Sequence, residues 1–252
     1  DYELIIVDNG SVQTETRRLL ESLALDERVK VLHHDAAFNY SELNNLAVRN
    51  ATGSVLVLLN DDTEVIQDRW LREVVSQALR PDVGVVGARL LYGDDHVQHA
   101  GIVMEDGQPH HQFRVLDASQ VGPNGELALA RSVTAVTAAC AAMTKALYDE
   151  VGGLDEDFFM YSEELDWCKR IKDAGWAVVY LPTATVIHHE GKSSEQVVPA
   201  RHIYFHSSKV RYFRKHHGAL QAEALRWFLL LTYVYQTARE GLKWLVGHKR
   251  PM

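Results

Sequence analysis

The chain opens on an apolar run, Glu3 to Val7, that gives way to the turn-forming Asp8-Asn9-Gly10-Ser11 and then to the helical period of Thr14 to Leu25. The same alternation recurs downstream. Val29 to Leu32 is expected as a strand, and Ser41 as the cap of a helix reaching about Ala51, with Leu43, Leu46 and Ala47 turned inward. Ser54 to Leu59 is an uninterrupted apolar run, the pattern of a parallel strand buried on both faces. A helix over Gln67 to Arg80 is stopped by Pro81, and Val83 to Leu91 again reads as strand. Strands and helices alternating at these lengths predict an α/β fold, a Rossmann-like and mostly parallel sheet flanked by helices.

The period then weakens. Tyr92 to Ala130 is rich in Gly, Asp, His and Gln, and so long an excursion from regular structure is usually functional. Regular structure is expected to resume over Val133 to Ala139, followed by a helix near Lys145 to Val151, a break at Gly152-Gly153 and a helix from Ser162 to Ala174. Trp176 to Leu181 reads as a strand ended by Pro182, and Ala184 to Ile187 as a second short apolar stretch. Two helices close the chain, roughly Arg201 to His216 and Leu220 to Leu245, separated by Gly218. With 46% apolar residues, 252 residues can bury a full core; we expect one domain over 1–217 and a C-terminal helical extension over 218–252.

Charge divides the chain. The net charge is −8, but from Arg201 onward ten Lys and Arg stand against two acids, which leaves −16 for the first 200 residues. An acidic body excludes a nucleic-acid binder, whose phosphate backbone calls for a basic face. The basic tail suits an anionic membrane surface: Leu225 to Tyr235 is apolar nearly all round, with Arg239, Lys243, Lys249 and Arg250 beyond it and Trp227 and Trp244 towards either end. The alternative is a helix packed on the body or on another copy. Cys140 and Cys168 lack metal-type spacing, no run approaches a spanning helix and no signal peptide stands at the start, so a cytoplasmic protein, peripheral at the inner face of the membrane, is expected.

In a parallel α/β sheet, ligands bind beyond the carboxyl ends of the strands. Two strands end in carboxylates there: Asp8, and the run Asn60-Asp61-Asp62. Asp8 and Asp61 can each serve as a turn former, yet two adjacent carboxylates repel, and a magnesium or manganese ion with substrate phosphates would relieve that. A third acidic group, Glu163, Glu164 and Asp166, begins the Ser162 helix, whose N-terminus favours the anion. Asp166 has the bland alternative of pairing with Arg170 one turn on. His188-His189 follow an apolar stretch and precede Gly191 and Lys192, a grouping suited to a metal or phosphate.

These segments resemble the inverting family 2 glycosyltransferases of the glycosyltransferase A fold, O-antigen and rhamnosyltransferase-like members especially. The likeness rests on Glu3 to Ser11, Phe38-Asn-Tyr-Ser41 with Asn44, Leu58 to Val65, Gln98-His-Ala-Gly101, Gly152-Gly-Leu-Asp155, Tyr161 to Asp166 and His188 to Gly191. The resemblance implies a nucleotide diphosphate sugar donor, a glycan or lipid-linked glycan acceptor and a divalent metal ion. It implies that Asp8 contacts the nucleoside, that Asp61 lies near the donor's ribose or sugar, that Asp62 ligates the metal with His188 (or His189) and that Glu164 is the catalytic base, with Asp166 as fallback. Asn60 stands where the motif usually has Asp, and Glu164 where Asp is commoner. The family's first strand and helix would precede Asp1. An alternative is a degenerate domain that binds nucleotide or glycan within a larger synthase without turnover.

Overall fold

A computed structural model describes residues 1–105, 108–189 and 198–245. In chain order the elements are β1 (Leu4–Asp8), α1 (Thr14–Leu23), β2 (Val29–His33), α2 (Tyr40–Asn50), β3 (Val55–Leu59), β4 (Thr63–Val65), α3 (Trp70–Ala78), β5 (Val83–Leu91), β6 (Val97–His99), β7 (Ile102–Glu105), β8 (Gln108–His111), β9 (Arg131–Ser132), β10 (Cys140–Thr144), α4 (Lys145–Glu150), α5 (Glu163–Asp173), β11 (Ala177–His188), α6 (Val198–His217) and α7 (Ala219–Leu245). The main sheet runs β3-β10-β5-β11-β4, with β6 on β5 and β9 on β11. β5 and β11 are parallel, and β10 runs antiparallel to both its neighbours, so β3, β5 and β11 end at the same edge. β1 and β2 form a parallel pair of their own.

β5 is the axis of the core. Eight of its nine residues are buried, and successive side chains enter opposite layers, as period two requires. Val85 and Leu91 join Trp167, Ile171 and Tyr180 on one face; Val86 and Leu90 join Val74, Ala78 and Val186 on the other. A Cβ at Gly87 would stand 2.4 Å from that of Val136. Only glycine lets the 133–139 segment cross the sheet there.

Several sequence expectations change for identifiable reasons. The strand near residue 140 is Cys140–Thr144, not Val133–Ala139: the earlier segment is buried but sends its amides elsewhere, Val133 to Val178 O and Ala135 to Ile102 O. β3 is not a parallel strand covered on both sides; it pairs with antiparallel β10 and buries alternate residues. Pro182 does not end its strand, because a register shift between Leu181 and Thr185 lifts it out of the ladder and β11 continues to His188. The cap of α2 is Asn39, which accepts from Glu42 N at 3.1 Å. Ser41 lies buried in the first turn instead, its hydroxyl towards Phe158 O.

Candidate active site

The shared carboxyl edge of β3, β5 and β11 collects the polar residues singled out above. After β3 the chain turns over Asn60-Asp61-Asp62 into β4, which pairs antiparallel with the end of β11, Thr63 opposite His188. That register carries Asp62 beside the histidines: His189 N donates to Asp62 O at 2.9 Å, and Asp62 Oδ1 lies 3.0 Å from His188 Nε2. His189 points elsewhere, 3.2 Å from Glu64 on the surface. Of the two histidines, the one aimed at Asp62 is therefore His188. Asp61 is exposed, and Lys192 lies outside the described residues.

Gln98 backs His188. It is the extra residue of a bulge in β6, where Val97 and His99 oppose the consecutive Leu91 and Leu90, and bulges re-aim side chains in this way. Its amide Nε2 donates to His188 O at 2.9 Å while its Oε1 sits 2.6 Å from His188 Nδ1. Since Oε1 only accepts, Nδ1 must donate. The Nε2 atom facing Asp62 is buried without a hydrogen-bond partner.

Tyr40 joins the halves of the site. Its hydroxyl donates to Asn60 Oδ1 at 2.9 Å, and the hydroxyl's pKa is driven well above 10 by burial and by the nearby Glu163 and Glu164 carboxylates. Those two open α5, after Tyr161 and Ser162 in consecutive left-handed conformations, φ 70° and 66°. Such backbone is costly for residues with a Cβ, on the order of 1–3 kcal/mol each, and collects at functional sites. Burial, and for Glu163 the neighbouring Glu164, raises both carboxyl pKa values above 4.5. Each has one buried oxygen, Oε2, without a partner.

Asp166 is differently placed. It is fully buried, with Oδ2 accepting from Arg170 Nε at 2.8 Å and Oδ1 from His216 Nε2 at 2.7 Å, with Lys215 Nζ at 2.8 Å. Both its oxygens are engaged by Arg170, Lys215 and His216, the arrangement of an anchor for the fold; the i,i+4 pair with Arg170 is the half of this network that spacing foretold. Asp8 ends β1 with Oδ1 accepting from Ser11 N at 2.9 Å and Oδ2 3.1 Å from His33 Nδ1, and the Ser11 bonds chiefly lower its pKa. A cleft of about 570 Å³ opens beside it, lined by Ser11, Arg17, His33 and Asp35 among others.

Among the described residues no group of three or more His, Cys, Asp or Glu converges as a metal cage. Asp62 and His188 fit a different donor set. A carboxylate oxygen and an imidazole nitrogen without a hydrogen-bond partner face each other at 3.0 Å, and a hard cation takes one or two protein ligands when phosphates fill the rest.

The sequence matches the family described as glycosyl transferase family 2 over residues 1–152. The chain belongs to that family. Relatives within it include the O-antigen biosynthesis protein RfbC of Myxococcus xanthus, 38% identical over 194 residues, which cover 76% of this chain and 15% of RfbC. Another is an N-acetylglucosaminyl-diphospho-decaprenol L-rhamnosyltransferase of Mycobacterium tuberculosis (H37Rv), 35% identical over 100 residues, 39% of this chain and 32% of that one. The chain thus spans under a third of either relative. The fold is that of the glycosyltransferase A structures: a mannosyltransferase of Pyrobaculum calidifontis, solved with GDP-Man and Mn2+, superposes with TM-score 0.59 at 18% identity, over 88% of this chain and 59% of that one. In this family 2 chain, Gln98 and Tyr40 lie within recognisable motifs, but no local signal assigns them roles. Their meaning depends on strands distant in sequence.

Proposed function

We propose that this family 2 domain is an inverting, metal-dependent glycosyltransferase that moves a sugar from a nucleotide diphosphate donor to a hydroxyl of a growing bacterial surface glycan. The observation that carries this reading is the opposed pair Asp62 and His188 at the strand edge, with Tyr40, bonded to Asn60 of that edge, lying near the buried Glu163 and the half-buried Glu164. Asp62 and His188 would hold Mg or Mn, which when bound supplies positive charge to the diphosphate. Asp8, Asn60, Asp61 and Lys192 belong to the donor side in this reading. Glu164 takes the proton of the acceptor hydroxyl as that oxygen bonds to the anomeric carbon and the nucleoside diphosphate leaves. A single displacement inverts the anomer. Burial suits Glu164 to the task, because a raised pKa makes its carboxylate a stronger base.

Nucleoside diphosphate release from a panel of donors with Mn2+ tests the proposal. Asp62→Ala should abolish the metal-dependent rate, and Glu164→Gln should lower it by about 10²- to 10⁴-fold. Wild type and both variants turning over equally would sink it. One observation favours a second reading, a domain that binds donor without turnover: Asn60 stands at a metal-motif position with its Oδ1 engaged by Tyr40. Donor binding by calorimetry with no product over the same panel would select it.

The membrane-facing element in this reading is α7. No helix among the described residues is long and apolar enough to cross a membrane, yet Trp227, Leu231 and Val234 on one face of α7 are 62%, 64% and 66% exposed. Both acids of α7 are already paired, Glu223 with Arg214 and Arg226, and Glu240 with Arg239 and Lys243. An apolar face within a basic tail is the composition of an interfacial helix, and it would set the domain where lipid-linked acceptors reside.

A further inference from the structure

We infer that Gln98 is the positioning residue of the proposed cation site, fixing the proton of His188 on Nδ1 so that the Nε2 lone pair is presented beside Asp62. This rests on Asp62 and His188 holding the metal.

Gln98 is 4% exposed and spends both ends of its amide on one residue. The donation from Nε2 to His188 O fixes the sense of the amide: turning it over would set Oε1 against a carbonyl oxygen and leave two acceptors in contact. With the amide so oriented, Oε1 meets Nδ1 at 2.6 Å and can only accept. A neutral imidazole that carries its hydrogen on Nδ1 has its lone pair on Nε2. That is the atom 3.0 Å from Asp62 Oδ1 and without a hydrogen-bond partner. Histidines that bind metals are commonly oriented through their other nitrogen, and losing that partner typically weakens metal binding by about 10- to 100-fold. A buried glutamine projecting from a bulge to grip both the backbone and the ring of one histidine has no comparable use in packing alone.

The test needs neither donor nor acceptor. Mn2+ binding to the whole chain is followed by electron paramagnetic resonance, with and without UDP, and the imidazole nitrogen coupling by electron spin-echo modulation. The tautomer of the neutral His188 ring is read separately from 15N shifts in metal-free Asp62→Ala protein, where no carboxylate faces Nε2. That ring should carry its proton on Nδ1, and wild type should bind Mn2+ with a nitrogen coupling that His188→Ala removes. Gln98→Met should lose the tautomer preference, weaken Mn2+ at least roughly tenfold and reduce the coupling. Gln98→Asn, one methylene too short to reach Nδ1, should behave as the methionine variant does, so the inference stays testable if the latter does not fold. A neutral ring protonated on Nε2, or a folded Gln98→Met or Gln98→Asn with unchanged tautomer and affinity, would overturn it. Wild type that binds Mn2+ equally well after Asp62→Ala would instead overturn the metal reading beneath it.

Discussion

Glu163 is buried and Glu164 half-buried, and the fold shifts the ionisation of both. Burial comes first among the causes that raise both carboxyl pKa values, and mutual repulsion adds to it for Glu163. For stability the sign follows from the proton. A carboxyl whose pKa is raised on folding binds its proton more tightly in the native state, so the associated stability is complete below about 4.5 and is lost as pH rises through the folded-state value. Glu163→Gln should therefore melt with wild type near pH 4 and above it at pH 8, by the equivalent of at least about 1–3 kcal/mol, the cost of an unsatisfied buried polar group, which a charge exceeds. Calorimetry across that range decides; a variant less stable at pH 8 would mean that Glu163 is held ionised by a partner. For the proposed catalysis the direction reverses: Glu164 as base must be ionised, so the acid limb of the rate should lie above pH 4.5, and Glu164→Gln should remove it.

At the scale of elements, the loop that leads into α5 and the proposed base is held from outside by α6. Ser208 Oγ donates to Met160 O at 2.7 Å, Arg211 pairs with Asp157 and Lys215 with Asp155, each at 2.6 Å, and Lys215 and His216 close on Asp166. Phe159 packs on Tyr204 and Tyr161 on Phe205. These contacts compensate for the left-handed pair Tyr161 and Ser162 just before α5. Asp166→Asn removes the buried charge on which Arg170, Lys215 and His216 converge, and breaking one side of a buried network costs about 3–5 kcal/mol. We expect a loss of that size in denaturant melts, with faster amide exchange in the second half of α6. Exchange confined to α5 would show that α6 is held by other contacts.

For the whole molecule, the division between acidic body and basic tail is the largest asymmetry, and α7 carries the exposed apolar face. Exposed side chains contribute little to folding, so replacing Trp227 and Leu231 by serine should leave the melting temperature unchanged. Binding to vesicles of phosphatidylglycerol should fall by roughly tenfold or more, and added salt should weaken the wild-type interaction, as basic residues near an anionic surface require. Equal flotation of wild type and variant would remove the membrane reading. Concentration-dependent dimerisation abolished by the same variant would assign the face to a second copy.

The period of apolar positions was enough to place β1, β2, β5, α1, α5 and the two closing helices within a few residues, because an apolar run or stripe at strand or helix spacing is a local property of the chain. The acidic turns after β1 and β3 were legible too, since polar residues closing buried strands have few other uses. Pairing was not legible. Whether β3 lies beside a parallel or an antiparallel strand, and whether Pro182 ends a strand or rides over a bulge, depends on partners more than 80 residues away. The difference between Glu164 and Asp166 also depends on distant partners: both are acids in the first turn of one helix, and only the arrival of Lys215 and His216 commits the second to holding the fold. Gln98 is the clearest case, a residue without charge or periodic signal whose place is set by a bulge in β6 and the end of β11. Composition determines which groups this chain can bring to a site; the long-range hydrogen bonds and ion pairs of the packed structure decide which of them face one another.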